Sequence, residues 1–342
     1  MDVRNWQKCV ISSKDEMESF FIAIGYPIKI DQLAKVLDMS SNYVAQKVKE
    51  FGLVGYVNFG SGSSGELELA NFIREIYHGE IRVNDREAIR PLEIDIYLPE
   101  LKLGIEYDGL YWHSEINKGK EYHKNKTIKA RDMGIKLVHI FEYEWKNVAR
   151  MDRVKKYLVS LVSGRRQYTG NYEISEIDND VAYRFCEVNN ILGGTKASVS
   201  IAIMSGGDIV SVMMFSRPRF SKDYDWEIVR LCSLPGLEIP NGYRDMLRYF
   251  LVTRTPKSLL AYCDMTKFDG SDYTKMGMKL SGFTDPGYVW FGKNGKTLSR
   301  YETMKKKLLE MGLGQYGNTE AEIMENLGYI RIYDCGYMKF TV

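Results

Sequence analysis

Three residues of the types that perform proton transfer and metal binding stand close together in the stretch GIEYDGLYWHSE, residues 104–115. Two carboxylates, Glu106 and Asp108, lie at the end of a strand-like alternation, and Gly109 breaks the strand before His113. A histidine with an ordinary pKa near about 6.5 can accept or donate a proton at neutral pH. The stretch therefore predicts a reactive centre at the end of a strand.

The strand before this stretch also carries a carboxylate. PLEIDIYLP and ELKLGIEYDG both alternate apolar and polar residues, which predicts a hairpin that turns at Pro99 and Glu100. In that register Asp95 lies opposite Gly104 and one diagonal step from Glu106, about 7–8 Å away at Cα. Carboxylates this near repel unless a cation lies between them, and oxygen ligands suit Mg²⁺ or Mn²⁺. We therefore predict that Asp95 and Glu106 bind a divalent metal, with Gly104 leaving room for the ion.

The surrounding pattern predicts the elements that position these residues. ELELANFIREIY reads as an amphipathic helix, EIRVN as a short strand, KEYHKNKTIKARDMG as a second helix and IKLVHIF as a buried strand. The predicted order is helix, three strands, helix, strand. The block from Pro91 to His113 resembles the very-short-patch-repair-like branch of the PD-(D/E)XK nucleases, in particular the phage and intron homing endonucleases known by the motif EDxHD. The resemblance covers roughly residues 64–146.

The resemblance implies roles for particular residues. Asp95 would be the metal-binding aspartate and His113 the catalytic histidine. The acid that opens the motif would be Glu66 or Glu68, and Glu66, at the helix start, is favoured. The implied reaction is hydrolysis of phosphodiester bonds in double-stranded DNA, in which Mg²⁺ or Mn²⁺ polarises a phosphate oxygen and supplies an activated water while a histidine moves the proton.

The chain departs from the family pattern in two places. His123 stands where the last aspartate of the motif is expected, and no lysine follows Glu106 two residues on. Lys126, close to His123 in the same predicted helix, is the candidate contact to the scissile phosphate. Neighbouring lysines are predicted to hold the DNA backbone, with an affinity that falls as salt rises. They are Lys118, Lys120, Lys124 and Lys129.

Residues 15–57 read as three short helices, and the middle part resembles a helix-turn-helix. The apolar positions that would pack two helices around a short turn are Leu33, Ala34, Leu37, Val44 and Val48. The turn carries Asp38 and Met39 where glycine is usual, and Ser40 or Ser41 is the predicted helix cap. The residues expected to face a DNA groove are Asn42, Tyr43, Gln46 and Lys47. The alternative is a small helical bundle without a DNA role.

The C-terminal half reads as a further α/β unit. Strands are predicted at SVSIAIM, DIVSVMMF, WEIVRLC and LLAYCDM, and helices at GYRDMLRYFLV and SDYTKMGM. Their order from Ser198 to Tyr301 resembles an acetyltransferase-type fold, in which the loop of IPNGYRDML is a candidate site for the pyrophosphate of acyl-CoA. Basic loops interleaved with Tyr224, Trp226 and Trp290 favour contact with DNA instead, although Trp226 is better explained as a core residue.

Composition limits the class of protein. The chain has 342 residues, 44% hydrophobic and 27% charged, and a net charge of +2, so DNA binding requires local basic patches. Five cysteines without a CxxC pair favour a reducing compartment and argue against a structural zinc site. No apolar run reaches the ~18 residues that span a bilayer. We predict a cytoplasmic protein (of the host cell, if the gene belongs to a phage) without a membrane partner.

These observations predict an α/β multidomain chain. The expected parts are a helix-turn-helix (1–59), a PD-(D/E)XK-type core (60–148), a basic helix and linker (149–170) and an acetyltransferase-like domain (171–342). The first account is a site-specific, metal-dependent DNA endonuclease, in particular a homing endonuclease. The alternative is a DNA-binding acyltransferase-like modifier or regulator whose nuclease core is not catalytic. The density of Asp95, Glu106 and His113, against one glycine in the acyl-CoA loop, favours the first.

Overall fold

The computed structural model describes residues 12–24, 28–53, 56–58, 64–219, 221–292 and 295–342. The chain is a mixed α/β protein whose backbone contacts separate two compact units, Met1–Asn84 and Asp85–Val342. This division assigns the helix at 64–76 to the first unit, whereas the sequence pattern grouped it with the predicted core that follows. Within the described ranges, every helix is too short or too polar to cross a membrane.

The first unit is mainly helical. Its elements are α1 (Lys14–Ile24), β1 (Ile28–Lys29), α2 (Ile30–Leu37), α3 (Ser41–Glu50), β2 (Val57–Asn58) and α4 (Ser64–Ile76). The two predicted helices and the short turn between them are confirmed, and the five apolar residues expected to pack between them are all buried. Asp38 adopts the left-handed conformation, with φ +52°, that glycine usually supplies in such a turn. Of the two candidate caps, Ser40 is the one whose hydroxyl accepts from the Tyr43 N–H, at 3.2 Å.

A four-stranded sheet forms the first part of the second unit. Its elements are β3 (Arg82–Ile89), β4 (Leu92–Leu98), β5 (Leu103–Asp108), α5 (Tyr122–Asp132), β6 (Lys136–Phe141), α6 (Glu142–Trp145) and α7 (Val148–Val162). The strand order is β3-β4-β5-β6, with β4 antiparallel and β6 parallel to β5. Together with α4, the predicted order of helix, three strands, helix and strand is present. Every residue of β5 is buried, so the acids that it carries must find partners inside the protein.

The predicted register of the hairpin was wrong by two residues. Gly104 pairs with Tyr97 instead of Asp95, because Pro99–Leu101 forms a 3-10 turn and Lys102 is left-handed, which makes the connection longer than a tight turn. Asp95 therefore comes beside Glu106 itself.

The role predicted for Gly104 was also wrong. A Cβ atom at Gly104 would lie 2.6 Å from Leu137 Cδ1 and 3.2 Å from Ile94 Cγ2, so the missing side chain makes room for core packing and leaves no space for an ion. Ile94 and Tyr97 share this core, so the strict alternation read along β4 breaks between them.

The C-terminal part is built on a seven-stranded sheet in the order β14-β18-β13-β11-β10-β9-β8. Its elements are β8 (Glu173–Ile177), α8 (Asn179–Asn189), β9 (Val199–Ser205), β10 (Asp208–Ser216), β11 (Trp226–Ser233), α9 (Gly242–Arg254), β13 (Leu259–Asp264), α10 (Ser271–Lys275), β14 (Lys279–Phe283) and β18 (Tyr337–Thr341). The four strands and two helices predicted here are confirmed. The predicted linker at 164–170 contains a strand, β7 (Arg166–Gln167), which pairs with β12 (Leu237–Glu238).

A small three-stranded sheet lies between β14 and β18 in sequence. It consists of β15 (Tyr288–Phe291), β16 (Thr297–Ser299) and β17 (Ile330–Tyr333), with α11 (Lys305–Glu310) and α12 (Glu320–Asn326) between the last two. Trp290 is fully buried here, and its Nε1–H donates to Glu320 at 2.9 Å. Its predicted role as an aromatic that contacts DNA was therefore wrong. Trp226 packs edge-on against Phe250, as expected of a core residue.

Candidate active site

Asp95, Glu106 and Lys126 form a carboxylate–lysine cluster where β4, β5 and α5 meet. Lys126 Nζ donates to Glu106 Oε2, and both side chains are buried. The Tyr107 N–H donates to Asp95 Oδ2 at 2.8 Å, so a carboxylate takes the place of a backbone acceptor at this edge of the hairpin. Asp95 N lies 3.4 Å from Glu106 Oε1, which brings the two acids together as the sequence predicted, although by another register.

The charges in this cluster do not balance. Two carboxylates face one lysine, and burial together with the charge of Asp95 raises the pKa of Glu106 well above its usual range. Burial also raises the pKa of Asp95, against the attraction of Lys126. Burial opposes the protonated form of Lys126, but Glu106 and Asp95 outweigh it and raise its pKa. The cluster is therefore one positive charge short, and a bound proton or cation would supply it.

A second group, here called the histidine cluster, consists of Asp108, His113, His123 and His139. Asp108 Oδ1 lies 2.9 Å from His113 Nδ1 and 3.3 Å from His123 Nε2. The two imidazole nitrogens are 3.0 Å apart. On the other side of the carboxylate, Oδ2 lies 2.8 Å from His139 Nδ1. Three of the four histidines in the chain thus surround one buried aspartate.

The ionisation of this cluster follows from its burial. Burial alone would raise the pKa of Asp108, but the three imidazoles outweigh it and hold that pKa well below its usual range. Burial lowers the pKa of His139 to about 4, so this ring is neutral at pH 7. For His113, burial acts in the same direction, but the neighbouring Asp108 raises the pKa above its ordinary value.

The sequence pattern predicted site roles for His113 and His123 but none for Asp108 and His139. Asp108 stands two residues after Glu106, but the predicted hairpin brings only Glu106 of these two acids to Asp95. His139 lies in the apolar strand IKLVHIF, where a polar residue within a fully buried run is itself a sign of a specific partner. The parallel pairing of β5 with β6 places His139 next to Glu106 and one step from Asp108, so the signal was available from the two strands together.

The other residues that were assigned a catalytic role are Glu66, His123 and Lys126. Glu66 lies in the first turn of α4, in the first unit, and its part in the site stays a prediction. His123 lies within the histidine cluster and is almost fully buried. Lys126 is buried against Glu106 in the described structure, so its immediate role is to neutralise that acid, and its contact with a phosphate stays a prediction.

The lysines predicted to hold the DNA backbone lie on or before α5, and protein groups already contact them. Lys120 Nζ lies 2.8 Å from Asp285 Oδ2, and Lys124 Nζ donates to a backbone carbonyl at 3.0 Å. Lys118 Nζ lies 4.2 Å from the centre of an aromatic ring, and Lys129 Nζ donates to another carbonyl. Their contact with DNA stays a prediction.

The face of α3 that was predicted to read DNA is largely open to solvent. Asn42, Tyr43 and Gln46 are exposed, and Lys47 is half-buried with its Nζ 2.9 Å from Glu50. The reading of DNA by this unit stays a prediction.

A cavity of about 470 Å³ lies where β11 and β13 diverge, beside the loop proposed for acyl-CoA. These strands pair only over their first three residues and separate beyond them. The lining includes Lys136 and Arg230, and Arg230 Nε is buried without a partner among the described residues. The glycine of the loop has another explanation, because a Cβ atom at Gly242 would lie 2.8 Å from side-chain atoms of both Ile203 and Ile239. Gly242 therefore serves the packing of α9.

Comparison of the sequence with family models and with curated proteins finds no match.

Proposed function

We propose that the chain is a site-specific DNA endonuclease that hydrolyses phosphodiester bonds with the help of Mg²⁺ or Mn²⁺. The observation that carries the proposal is the carboxylate–lysine cluster, where Asp95 and Glu106 converge beside Lys126. A buried Glu106 and a half-buried Asp95, both with raised pKa values and with too little positive charge nearby, are the arrangement expected of a functional site.

The donor set of this cluster fits a hard divalent cation. Asp95 and Glu106 offer only oxygen, which is what Mg²⁺ and Mn²⁺ prefer. A dication would stabilise the ionised form of Glu106 against the burial and the Asp95 charge that raise its pKa. When bound, such an ion would stabilise negative charge on a phosphate oxygen and assist ionisation of a water molecule. Lys126 would hold the cluster together before the ion arrives, because it neutralises Glu106 within the buried strand.

His113 is suited to move the proton. Its Nδ1 faces Asp108 Oδ1 at 2.9 Å, so Nε2 is the nitrogen left for exchange with a reacting group. The carboxylate raises the pKa of His113 and thereby increases the protonated fraction at neutral pH, which favours donation to the leaving oxygen. At 17% side-chain exposure, His113 is the most accessible of the clustered histidines.

The residues just before His113 favour a nucleic-acid substrate. Trp112 is 67% exposed and Tyr111 is 54% exposed, and their rings meet edge to face. Large aromatics that remain open to solvent beside a buried polar site are suited to stacking on bases. Cleavage at this site would therefore involve DNA whose bases contact the loop at 110–113.

The test is cleavage of a pooled DNA library that includes the sequence flanking the gene. Wild type, Asp95→Ala and Glu93→Gln are incubated with Mg²⁺ or with EDTA, and every new end is sequenced. Glu93 is the matched control, because it lies on the same strand and its partner is the exposed Arg86. We expect ends at one site with wild type and Glu93→Gln in Mg²⁺ alone, and none with Asp95→Ala. His113→Ala should lower the rate by about 10²–10⁴-fold. Clustered ends with Asp95→Ala would refute the proposal.

The second account, a DNA-binding acyltransferase-like modifier or regulator, can be tested at the cavity beside β11. An acyltransferase-like modifier would bind acyl-CoA there and would tolerate Asp95→Ala without losing DNA binding. A thermal shift of wild type with acetyl-CoA, abolished by Arg230→Met, together with binding but no cutting of DNA, would favour this account. We expect no shift, because the glycine of the candidate loop is explained by packing.

A further inference from the structure

The histidine cluster contains polar atoms that the protein alone does not satisfy. Among the described residues, Asp108 Oδ1 and His123 Nδ1 are buried without a hydrogen-bond partner. His113 Nδ1 and His123 Nε2 lie 2.9 and 3.3 Å from Asp108 Oδ1, and neither nitrogen is assigned as a hydrogen-bond partner of this oxygen. Asp108 and His123 have relative exposures of 0% and 1%. A buried aspartate oxygen needs a partner. A cation is a partner that Asp108 Oδ1, His113 Nδ1 and His123 Nε2 can share.

We propose that Asp108, His113 and His123 bind one divalent transition-metal ion of the zinc type. The ligand atoms would be Asp108 Oδ1, His113 Nδ1 and His123 Nε2, and they lie within 4.8 Å of one another. Adjacent ligand atoms around an ion with bonds of about 2.0–2.1 Å stand about 2.8–3.4 Å apart, from octahedral to tetrahedral geometry. The three separations in the structure are 2.9, 3.0 and 3.3 Å.

Each ligand comes from a different element, and each is held in place. Asp108 ends β5, His123 lies in the first turn of α5, and His113 belongs to the loop that follows Gly109. The backbone N–H of His113 donates to the Gly109 carbonyl at 3.0 Å, which fixes the loop. The Thr127 hydroxyl donates to the His123 carbonyl at 2.9 Å, one turn along the same helix.

His139 would act as a positioning residue behind the ion. Its Nδ1 lies 2.8 Å from Asp108 Oδ2, and its Nε2 lies 2.8 Å from Thr127 Oγ1. Because Oδ2 is engaged on that side, Oδ1 is turned toward His113 and His123. Groups that hold a ligand in this way typically change metal affinity by about 10–100-fold when they are removed.

The donor set distinguishes this site from the carboxylate–lysine cluster. Two imidazoles and one carboxylate suit Zn²⁺, Co²⁺ or Fe²⁺, whereas Mg²⁺ requires oxygen. Three protein ligands also leave at least one coordination position for water, and the half-buried His113 marks the side on which solvent reaches it. The inference does not depend on the proposed nuclease activity. When this ion is bound, His113 is a neutral ligand through Nδ1, so it could not at the same time be the proton donor of the proposed nuclease.

The site also explains how a chain without paired cysteines can bind zinc. The absence of a CxxC motif argued against a structural zinc site. The four described cysteines are buried, and Cys335 Sγ lies 3.2 Å from Thr127 Oγ1, next to the cluster but not among its three ligand atoms. The spacing of the ligands, five residues from Asp108 to His113 and ten from there to His123, matches no short zinc motif. The three ligands come together only because α5 packs over the end of β5.

The experiment uses the full chain without a histidine tag, stripped with EDTA, dialysed and titrated with Co²⁺ as a spectroscopic probe. We expect one Co²⁺ per chain, visible d–d absorption and displacement by one Zn²⁺. His123→Gln and the more exposed His113→Gln should each weaken binding by at least about 100-fold, and His139→Gln by about 10–100-fold. His78→Gln is the matched control, because His78 is exposed and is the one histidine outside the cluster.

Three outcomes would overturn the proposal. They are the absence of a Co²⁺ spectrum in wild type, binding in both His123→Gln and His113→Gln at the wild-type affinity, or an equal loss in His78→Gln. Near-ultraviolet circular dichroism of each stripped variant separates loss of a ligand from loss of the fold. Metal binding without DNA cleavage would support this site and count against the proposed function, while cleavage in Mg²⁺ by a chain that binds no Co²⁺ would do the reverse.

Discussion

Replacement of Lys126 by methionine should destabilise the second unit strongly, because it leaves a buried acid without its partner. Lys126 and Glu106 have relative exposures of 3% and 0%, so water does not screen their interaction. Removal of one member of a buried ion pair typically costs about 3–5 kcal/mol. Methionine nearly preserves the length of the lysine stem, so the cost comes from the charge and not from a cavity.

The size of this effect should depend on pH in a defined direction. The pKa of Glu106 in the folded wild type is already raised by burial and by Asp95, and the loss of Lys126 raises it further. An acid whose folded-state pKa lies above its unfolded value lowers stability at high pH. This cost declines as pH falls below the folded-state pKa and is gone below the unfolded-state pKa. We therefore expect a larger cost of Lys126→Met at pH 8.5 than at pH 5.

Urea unfolding in EDTA, followed by tryptophan fluorescence, measures this cost. Four of the five tryptophans lie in the second unit: Trp112, Trp145, Trp226 and Trp290. With an unfolding slope of about 3 kcal/mol per molar urea, a cost of 3–5 kcal/mol moves the midpoint by about 1–1.7 M. Lys120→Met is the matched control, since the Lys120–Asp285 pair is exposed and screened by solvent, so its loss should move the midpoint little.

A double variant tests the cause. Glu106→Gln removes the acid that Lys126 neutralises, so Glu106→Gln/Lys126→Met should recover much of the stability that Lys126→Met loses. The reasoning is refuted if Lys126→Met costs less than about 1 kcal/mol at pH 8.5, if its cost is the same at both pH values, or if the two substitutions together cost their sum.

Two further predictions concern other parts of the chain. Burial raises the pKa of Asp264 to about 6, with hydrogen bonds from Thr266 opposing this shift and the charge of Asp334 adding to it. The ionised carboxylate therefore lowers the stability of the fold at pH values above about 6. This cost is absent below the pKa that Asp264 has in the unfolded chain. Asp264→Asn should raise stability by about 1–3 kcal/mol at pH 8 and give little gain at pH 4 in urea unfolding, and equal gains would contradict the assignment. In the first unit, Leu33→Ala should cost about 2–5 kcal/mol, while Val36→Ala, 45% exposed on the same helix, should cost far less when the unfolding of both is followed by circular dichroism.

The elements of this protein were predictable because periodicity is a local property. The alternation in β4 and β5, the apolar run of β6 and the helical spacing of Leu33 and Leu37 each follow from residues near in sequence. The hairpin register was not predictable in the same way, because Lys102 adopts a left-handed conformation that its residue type does not favour. Packing of Leu137 against Gly104 selects the longer connection, and that contact joins residues 33 positions apart.

Only part of the candidate site could be predicted from the sequence, because some of its contacts join residues that are far apart in the chain. Asp95 and Glu106 follow from one hairpin, and His113 follows from a short loop, so their proximity could be predicted. Asp108 and His139 meet only through the parallel pairing of β5 with β6, which a helix separates in sequence. A histidine in an otherwise apolar strand marks such a contact but does not identify its partner.

The site and the fold of this region are coupled through one helix. Glu106 and Asp108 are two residues apart in a fully buried strand and therefore lie on the same face of it. Each needs a positively polarised partner there. Helix α5 provides both, with His123 and Lys126 three residues apart on its buried face. Without α5, Glu106 would lose its ion pair with Lys126 and Asp108 would lose one of its three imidazole neighbours. Without Glu106, the buried lysine of α5 would lose its partner. Docking of α5 and assembly of the two clusters should therefore occur as one cooperative step, so that substitutions in either cluster lower stability and function together.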